Sequence, residues 1–210
     1  MWFVRPGKAR RLIAAWTAHC LLGANMVLGA GQIVPDNNTR TTLRESGRVT
    51  EVTTQTIRGR NAYNSFHKFD VYPDNVVNLR LPDGTANLLN LVHDQASRID
   101  GTLNAYRNGT IGGNVYFANP HGIVVGSDGV VNVGSLHAST PSAGFMQGFF
   151  DGPYEPSSQA SAQLLSGVFP INDSATISIQ GTVNALGDIR LHGGRVITGG
   201  SLQAGQGRAS

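Results

Sequence analysis

Short apolar stretches, each followed by glycine, asparagine, aspartate or serine, recur along the second half of the chain. Residues 115–117, 123–125 and 130–133 are three examples. Residues 49–53 instead alternate apolar and polar side chains, which is the pattern of a half-buried strand. No helical period of useful length runs through residues 31–60. The pattern predicts an all-β protein made of many short strands.

Two sequence echoes predict that these strands repeat. Residues 100–105 (DGTLNA) resemble residues 180–185 (QGTVNA), and residues 134–138 (GSLHA) resemble residues 200–204 (GSLQA). Short strands and turns that recur at about 20 residues are what a parallel β-helix requires, because each coil buries its inward side chains only when the next coil stacks on it. An antiparallel β-sandwich is the competing architecture.

Residues 139–173, here called the insertion, interrupt the repeats. They contain four large apolar side chains and then a stretch rich in proline and serine; the four are Phe145, Met146, Phe149 and Phe150. We expect this segment to fold back and to cover an edge or one end of the coil stack, with a short helix near residues 160–165. An exposed aromatic patch for a partner is the alternative.

The N-terminus has the layout of a secretory signal peptide. Four basic side chains precede an apolar run from residue 12 to residue 30, and no acidic residue occurs before Asp36. Because the run ends in small residues, we predict cleavage by signal peptidase after Ala30, following export by the general secretion machinery. His19 and Asn25 within the run argue against a permanent membrane anchor.

Cleavage after Ala30 changes the charge of the protein. The chain has 16 basic and 13 acidic residues, and four of the basic ones leave with the signal peptide, so 12 basic residues face 13 acidic ones at a net charge of −1. A basic surface patch is therefore not expected, and neither is binding to nucleic acid. The single cysteine, Cys20, also leaves, so the mature chain can form no disulfide.

No catalytic or metal-binding motif occurs in the sequence. The five histidines beyond residue 30 are spaced singly, without a His-x-x-x-His pair or a cysteine partner, and no Gly-Lys-Ser/Thr sequence occurs. His93 with Asp94, and His121 with Asp128, can be drawn as acid–base pairs. Turn residues in coils rich in Asn, Asp and Gly explain them more simply. The sequence predicts no catalytic residue, no metal and no cofactor.

An ordered set of sequence blocks resembles the N-terminal secretion domain of filamentous haemagglutinin and other two-partner secretion exoproteins. The blocks span about residues 40–205 and read FHKFDV (66–71), NLLNLV (87–92), IDGTL (99–103), ANPHGI (118–123) and VGSL (133–136). The fourth block resembles the Asn-Pro-Asn-Gly-Ile turn that the family links to secretion, and here it comprises Asn119, Pro120, His121, Gly122 and Ile123. His121 replaces the usual Asn, which leaves open whether a transporter reads that position.

The resemblance implies a right-handed parallel β-helix with an N-terminal β cap and a role in export. In this family a dedicated outer-membrane β-barrel transporter of the Omp85-like two-partner class recognises the domain in the periplasm and passes it to the surface of a Gram-negative cell. The parent protein is expected to be a large filamentous adhesin or haemagglutinin. The expected segments are the cap with the first coils (31–98), coils with the turn (99–138), the insertion (139–173) and further coils (174–210).

Two other functions stay open on the sequence alone. A self-contained adhesin would bind a host-cell or glycan receptor through residues 31–210 themselves. A β-helix enzyme acting on polysaccharide would need several carboxylates that converge in a groove, and the late coils offer only Asp188, Arg190 and Arg195. The last residues are repeat-like and contain no recognisable cap, so we expect either the front of a longer protein or a truncated remnant.

Overall fold

The computed structural model describes residues 32–205 and 208–210. The predicted signal peptide, with Cys20 and the cleavage site at Ala30, lies outside the described residues. No helix in the described part is long and apolar enough to span a membrane.

The described residues form many short strands and two helices. In chain order they are β1 (Ile33–Pro35), β2 (Thr41–Ser46), β3 (Val49–Thr54), β4 (Ile57–Arg58), β5 (Asn61–Phe69), β6 (Val76–Arg80), β7 (Asn87–Val92), β8 (Ser97–Ile99), β9 (Thr102–Arg107), β10 (Thr110–Ile111), β11 (Asn114–Ala118), β12 (Ile123–Val125), β13 (Val130–Val133), β14 (Ser135–Ser139), α1 (Ala143–Gln147), β15 (Phe150–Gly152), β16 (Glu155–Pro156), α2 (Ser158–Ser166), β17 (Thr176–Ile179), β18 (Thr182–Ala185), β19 (Ile189–His192), β20 (Arg195–Thr198) and β21 (Ser201–Ala204).

Three sheets form the flanks of a parallel β-helix. The first sheet runs β1-β5-β7-β11-β14-β19, the second β2-β3-β6-β9-β13-β18-β21, and the third β8-β12-β17-β20. Each coil visits the first, third and second sheets in turn: β11, β12 and β13 lie parallel to β7, β8 and β9 of the preceding coil. The predicted all-β parallel β-helix is confirmed, and the antiparallel sandwich is excluded.

Antiparallel strands occupy the N-terminal end of the stack. β1 runs antiparallel to β5, and β2 runs antiparallel to β3, whereas β3 already pairs in parallel with β6. Two of the three sheets therefore begin in a strand of opposite direction, which ends the parallel repeat on that side. This is the N-terminal β cap that the resemblance implies.

The coils differ in length, which corrects the single period of about 20 residues. Asn61, Asn87 and Asn114 stack at offsets of 26 and 27 residues. Other offsets are shorter: Asn114 pairs with Ser135, 21 residues on, and Thr182 pairs with Ser201, 19 residues on. Loops between strands absorb the difference, so the strands stay in register although the spacing along the chain changes.

One of the two sequence echoes marks equivalent positions, and the other does not. Thr102 and Thr182 both pair with Val130, from opposite sides, so residues 100–105 and 180–185 lie two coils apart in one sheet. The second echo compares β14, in the first sheet, with β21, in the second. That echo reflects shared turn chemistry rather than stacking. The predicted segment boundary between residues 98 and 99 falls inside β8.

The insertion packs on the outer face of the first sheet, not on an edge or an end as predicted. Its helices α1 and α2 flank the β15–β16 hairpin, and α2 contains the helix expected near residues 160–165. Phe149 and Met146 are buried against outward side chains of β5, β7 and β11, namely Tyr63, Leu89, Leu91 and Ala118. The hydroxyls of Tyr63 and Ser161 lie 3.1 Å apart. The sheet's outer face is apolar here, so the insertion buries it.

A column of asparagines runs along the second sheet from coil to coil. Each of three side chains donates from Nδ2 to the Oδ1 of the asparagine one coil earlier, at 2.8–3.0 Å: Asn104 to Asn78, Asn132 to Asn104, and Asn184 to Asn132. The column begins at the carboxylate of Glu51, which accepts from Asn78 and pairs with Arg80. Such a column favours one register between coils, because a shift would break every bond in it.

Replacing Asn104 with alanine is expected to lower the free energy of unfolding by about 1–3 kcal/mol, because Asn104 lies mid-column and loses both its bonds. Urea denaturation followed by circular dichroism measures the change. The control is Gln203→Ala, at an exposed position of β21, which should shift stability by no more than about 0.5 kcal/mol. Equal stability of the two variants would show that the column contributes nothing.

Candidate functional site

The turn at residues 119–123, here called the corner, joins the first and third sheets. β11 ends at Ala118 and β12 begins at Ile123, so the chain changes direction within four residues. Pro120 restricts the backbone at the start of this bend, and the side chain of Ile123 enters the core of the β-helix. Adjacent coils hold the corner from both sides.

Asn119 is fully buried, and its polar atoms all have partners. Its Nδ2 donates to the carbonyl of Gln95 at 2.8 Å and to the Ser97 hydroxyl at 3.0 Å. Its Oδ1 accepts from the backbone amide of His121 at 2.8 Å, which closes the turn. The Asn119 side chain thus bonds to the coil below and to the backbone of its own turn. Alanine at this position would leave several buried polar groups without hydrogen-bond partners.

The positive φ of the corner falls on Gly122, at +112°, and not on His121. A Cβ at Gly122 would also lie 2.8 Å from the carbonyl oxygen of Thr176 in the next coil. His121 is exposed, and its Nε2 lies 2.8 Å from the carbonyl oxygen of His93. A carbonyl only accepts, so Nε2 carries the proton. The usual Asn is therefore replaced without strain, because position 121 needs no left-handed conformation.

Three histidines that the sequence spaces singly lie in adjacent coils beside the corner. His67 Nδ1 lies 2.8 Å from a carboxylate oxygen of Asp94, and His93 Nε2 lies 3.5 Å from Asp36 in the N-terminal segment. The ion pairs of His67 and His93 among the described residues are therefore to Asp94 and Asp36, and not to the partners that can be drawn along the sequence. Both join residues that are distant along the chain and that the stacking of coils brings together.

Burial lowers the pKa of His93, and the carboxylates of Asp36 and Asp94 oppose the shift without cancelling it. The imidazoles of His67 and His121 add a smaller lowering. The Ser65 hydroxyl donates to Asp36 at 2.6 Å and lies 3.0 Å from His93 Nε2, so neutral His93 donates to Ser65. In hydrolase triads the histidine lies between serine and carboxylate. Here serine lies in the middle, and its proton is committed to Asp36.

The described residues contain no group of three or more His, Cys, Asp or Glu side chains placed to hold a metal ion. In the late coils Asp188 pairs with its neighbour Arg190 at 2.7 Å rather than lining a carboxylate groove. A half-enclosed cavity of about 240 Å³ lies between the insertion and the first sheet, lined by Tyr116, His137 and Phe169 among others. Its volume is below the roughly 300–1,000 Å³ of most ligand pockets.

The corner residues predicted from sequence do come together, and the structure adds partners that sequence reasoning missed. Those partners are Gln95 and Ser97 in the coil below and Asn172 in the coil above. The signal that would have found them is the coil offset, which places residues of neighbouring coils at one corner. That offset varies between coils and is not evident in the sequence.

Comparison with known proteins agrees with this architecture. The crystal structure of the HMW1 secretion domain from Haemophilus influenzae has a similar fold, with a TM-score of 0.56 and 20% sequence identity. The match covers 81% of this chain and 40% of that chain, so this chain spans less than half of the matched protein. At this identity the likeness concerns the fold alone. Among curated proteins, none matches this chain in sequence.

The family comparison covers all residues beyond the predicted signal peptide. The family model of the TPS (two-partner secretion) secretion domain matches residues 31–210. This match confirms the predicted resemblance. Members of this family direct an exoprotein through the periplasm to a dedicated outer-membrane transporter. The chain belongs to the TPS secretion domain family and is a secretion-targeting domain of a two-partner exoprotein.

Proposed function

We propose that the corner is the part of this domain on which export depends, and that the transporter is an outer-membrane β-barrel of the Omp85-like class. The observation that carries the proposal is the burial of Asn119 with all of its polar atoms bonded. A buried side chain contributes to recognition through the backbone it shapes. The exposed residue of the corner is then His121, since its neighbours Pro120 and Gly122 are buried.

The proposal also implies a route by which the chain reaches the cell surface. Cleavage after Ala30 would release a chain that begins where the family match begins, at residue 31. The released chain would cross the periplasm and reach the surface of a Gram-negative cell, joined to a filamentous adhesin or haemagglutinin. Nothing in the described geometry favours a receptor site or an enzyme over this role, since the clustered histidines and carboxylates bond to one another.

Replacing Asn119 with alanine is expected to lower surface export at least about tenfold, which corresponds to a loss of about 1.4 kcal/mol in recognition. Export is measured as surface protein relative to periplasmic protein, in cells that produce the native transporter. The control is Asn132→Ala, which removes a half-buried asparagine that likewise has inter-coil bonds but lies in the second sheet, away from the corner.

The comparison is made at a temperature at which both variants are equally folded. If Asn119→Ala and Asn132→Ala are exported equally well, the corner has only a structural role and the proposal is wrong. A specific loss in Asn119→Ala supports recognition of the corner, because each variant lacks one asparagine with inter-coil bonds and the two are compared when equally folded.

A further inference from the structure

A residue far along the chain completes the corner. The Nδ2 of Asn172 donates to the carbonyl oxygen of Pro120 at 2.7 Å, across 52 positions in sequence. Pro120 is buried, so this carbonyl has little access to water. The bond crosses from the corner to the C-terminal end of the insertion, where the chain enters the next coil.

Asn172 is itself held in one orientation by its neighbours. Its Oδ1 accepts from the amide of Ser174 at 3.1 Å, and its own amide donates to the carbonyl of Thr140 at 2.9 Å. Its carbonyl accepts from the amide of Ala175 at 3.1 Å. Because the side-chain oxygen and the backbone of Asn172 are already hydrogen-bonded, the side chain loses no further freedom when Nδ2 donates to Pro120.

The coil below contributes the complementary half of the corner. The amide of Ser97 donates to the Gly122 carbonyl at 3.0 Å, and Asn119 reaches Gln95 and Ser97. From above, only Asn172 reaches the backbone of Pro120 by a side chain among the described contacts. The corner thus has hydrogen bonds to the coils on both sides, and Asn172 is its side-chain donor from above.

Resting on the proposed function of the corner, we infer that Asn172 is a positioning residue for export. It sets the orientation of the Pro120–His121 peptide, and thereby the position of the exposed His121 that the transporter would contact. The export signal then extends to the end of the insertion, and a chain segment that ends before Asn172 carries an incomplete corner.

The test is Asn172→Asp in the full chain. Aspartate keeps the acceptor for Ser174 but places an oxygen where Nδ2 stood, opposite the Pro120 carbonyl. The matched control is Asn132→Asp, which makes the same exchange opposite Asn104 Oδ1 at 2.8 Å. A second variant, Asn172→Ser, retains a short acceptor but cannot reach Pro120, and it serves if the aspartate variant folds poorly.

We expect export of Asn172→Asp or Asn172→Ser to fall at least about tenfold below that of Asn132→Asp at equal thermal stability, the same factor as for the corner itself. The double variant Asn119→Ala/Asn172→Asp should be no worse than Asn119→Ala alone, because residues that act through one structure are not additive. Export of both Asn172 variants at the level of Asn132→Asp would overturn the inference.

The two proposals fail differently. If Asn119→Ala is exported normally, the corner is not recognised and the proposed function fails, whatever Asn172 does. If Asn119→Ala is blocked while both Asn172 variants are exported normally, the corner keeps its role and only the positioning role of Asn172 is lost.

Discussion

Replacing Phe149 with alanine is expected to detach the insertion from the first sheet and to cost about 3–5 kcal/mol. Phe149 is fully buried and lies at the centre of the aromatic contacts of the insertion, 5.9 Å from the ring of Phe145 and 6.5 Å from that of Tyr63. Removing its ring leaves a cavity between the insertion and the sheet, and the insertion has few other buried anchors. The β-helix coils retain their own core, which lies on the opposite face of the sheet.

Amide hydrogen exchange measures this detachment directly. Protection should fall in α1 and α2 while the amides of β7 and β11 stay protected. Val168→Ala is the control within the same segment, because Val168 is 71% exposed and its truncation should change stability by less than about 0.5 kcal/mol. Uniform loss of protection through all coils would contradict the prediction, since it would mean that the insertion and the β-helix unfold as one unit.

Stability is expected to fall as the pH is lowered from 7 to 5, because two histidines are held neutral in the fold. Burial, with a contribution from the Arg190 guanidinium, lowers the pKa of His137 to about 4, against a smaller opposing effect of Asp188. Burial lowers the pKa of His93 as well. The unfolded chain binds protons near the usual histidine pKa of about 6.5, so it gains protons in this range while the folded state does not.

The lowered pKa of His137 therefore makes the folded state more stable where the histidine is neutral. This stabilisation is fully present above about pH 6.5 and is lost as the pH falls towards the folded-state pKa of His137. After allowance for solvent near a half-buried ring, His137 should account for about 1–2 kcal/mol between pH 7 and pH 5. Urea denaturation at several pH values measures the slope. His137→Gln should flatten it. An unchanged slope in His137→Gln would disprove the assignment.

The β-helix could be predicted from sequence because its determinants are local. Most strands are three to six residues of alternating or apolar side chains, as in β12 and β13, and the turns contain residues that favour bends. The Asn119 side chain that closes its own turn is equally local, with its acceptor two residues from the donor. Such features depend on neighbours along the chain, so their pattern is visible without a structure.

Contacts between coils could not be predicted, since they depend on how many residues each coil contains. Coils stack at offsets of 26, 27 or 28 residues in one region, and the coil that carries the insertion shifts the offset to 52. Loops of different length leave the strand pattern unchanged but alter which residues meet. The pairing of His93 with Asp36 and the seat of the insertion on an outer sheet face both follow from this stacking.

By itself the sequence determined an all-β repeating chain, the family resemblance and the turn at residues 119–123. Only the tertiary structure decided which groups hold that turn: Gln95 and Ser97 from the coil below, and Asn172 from the coil above. The physical reason is that a solenoid is stabilised between successive coils. The bonds at one corner therefore join residues that the intervening loops, and here nearly all of the insertion, separate along the chain.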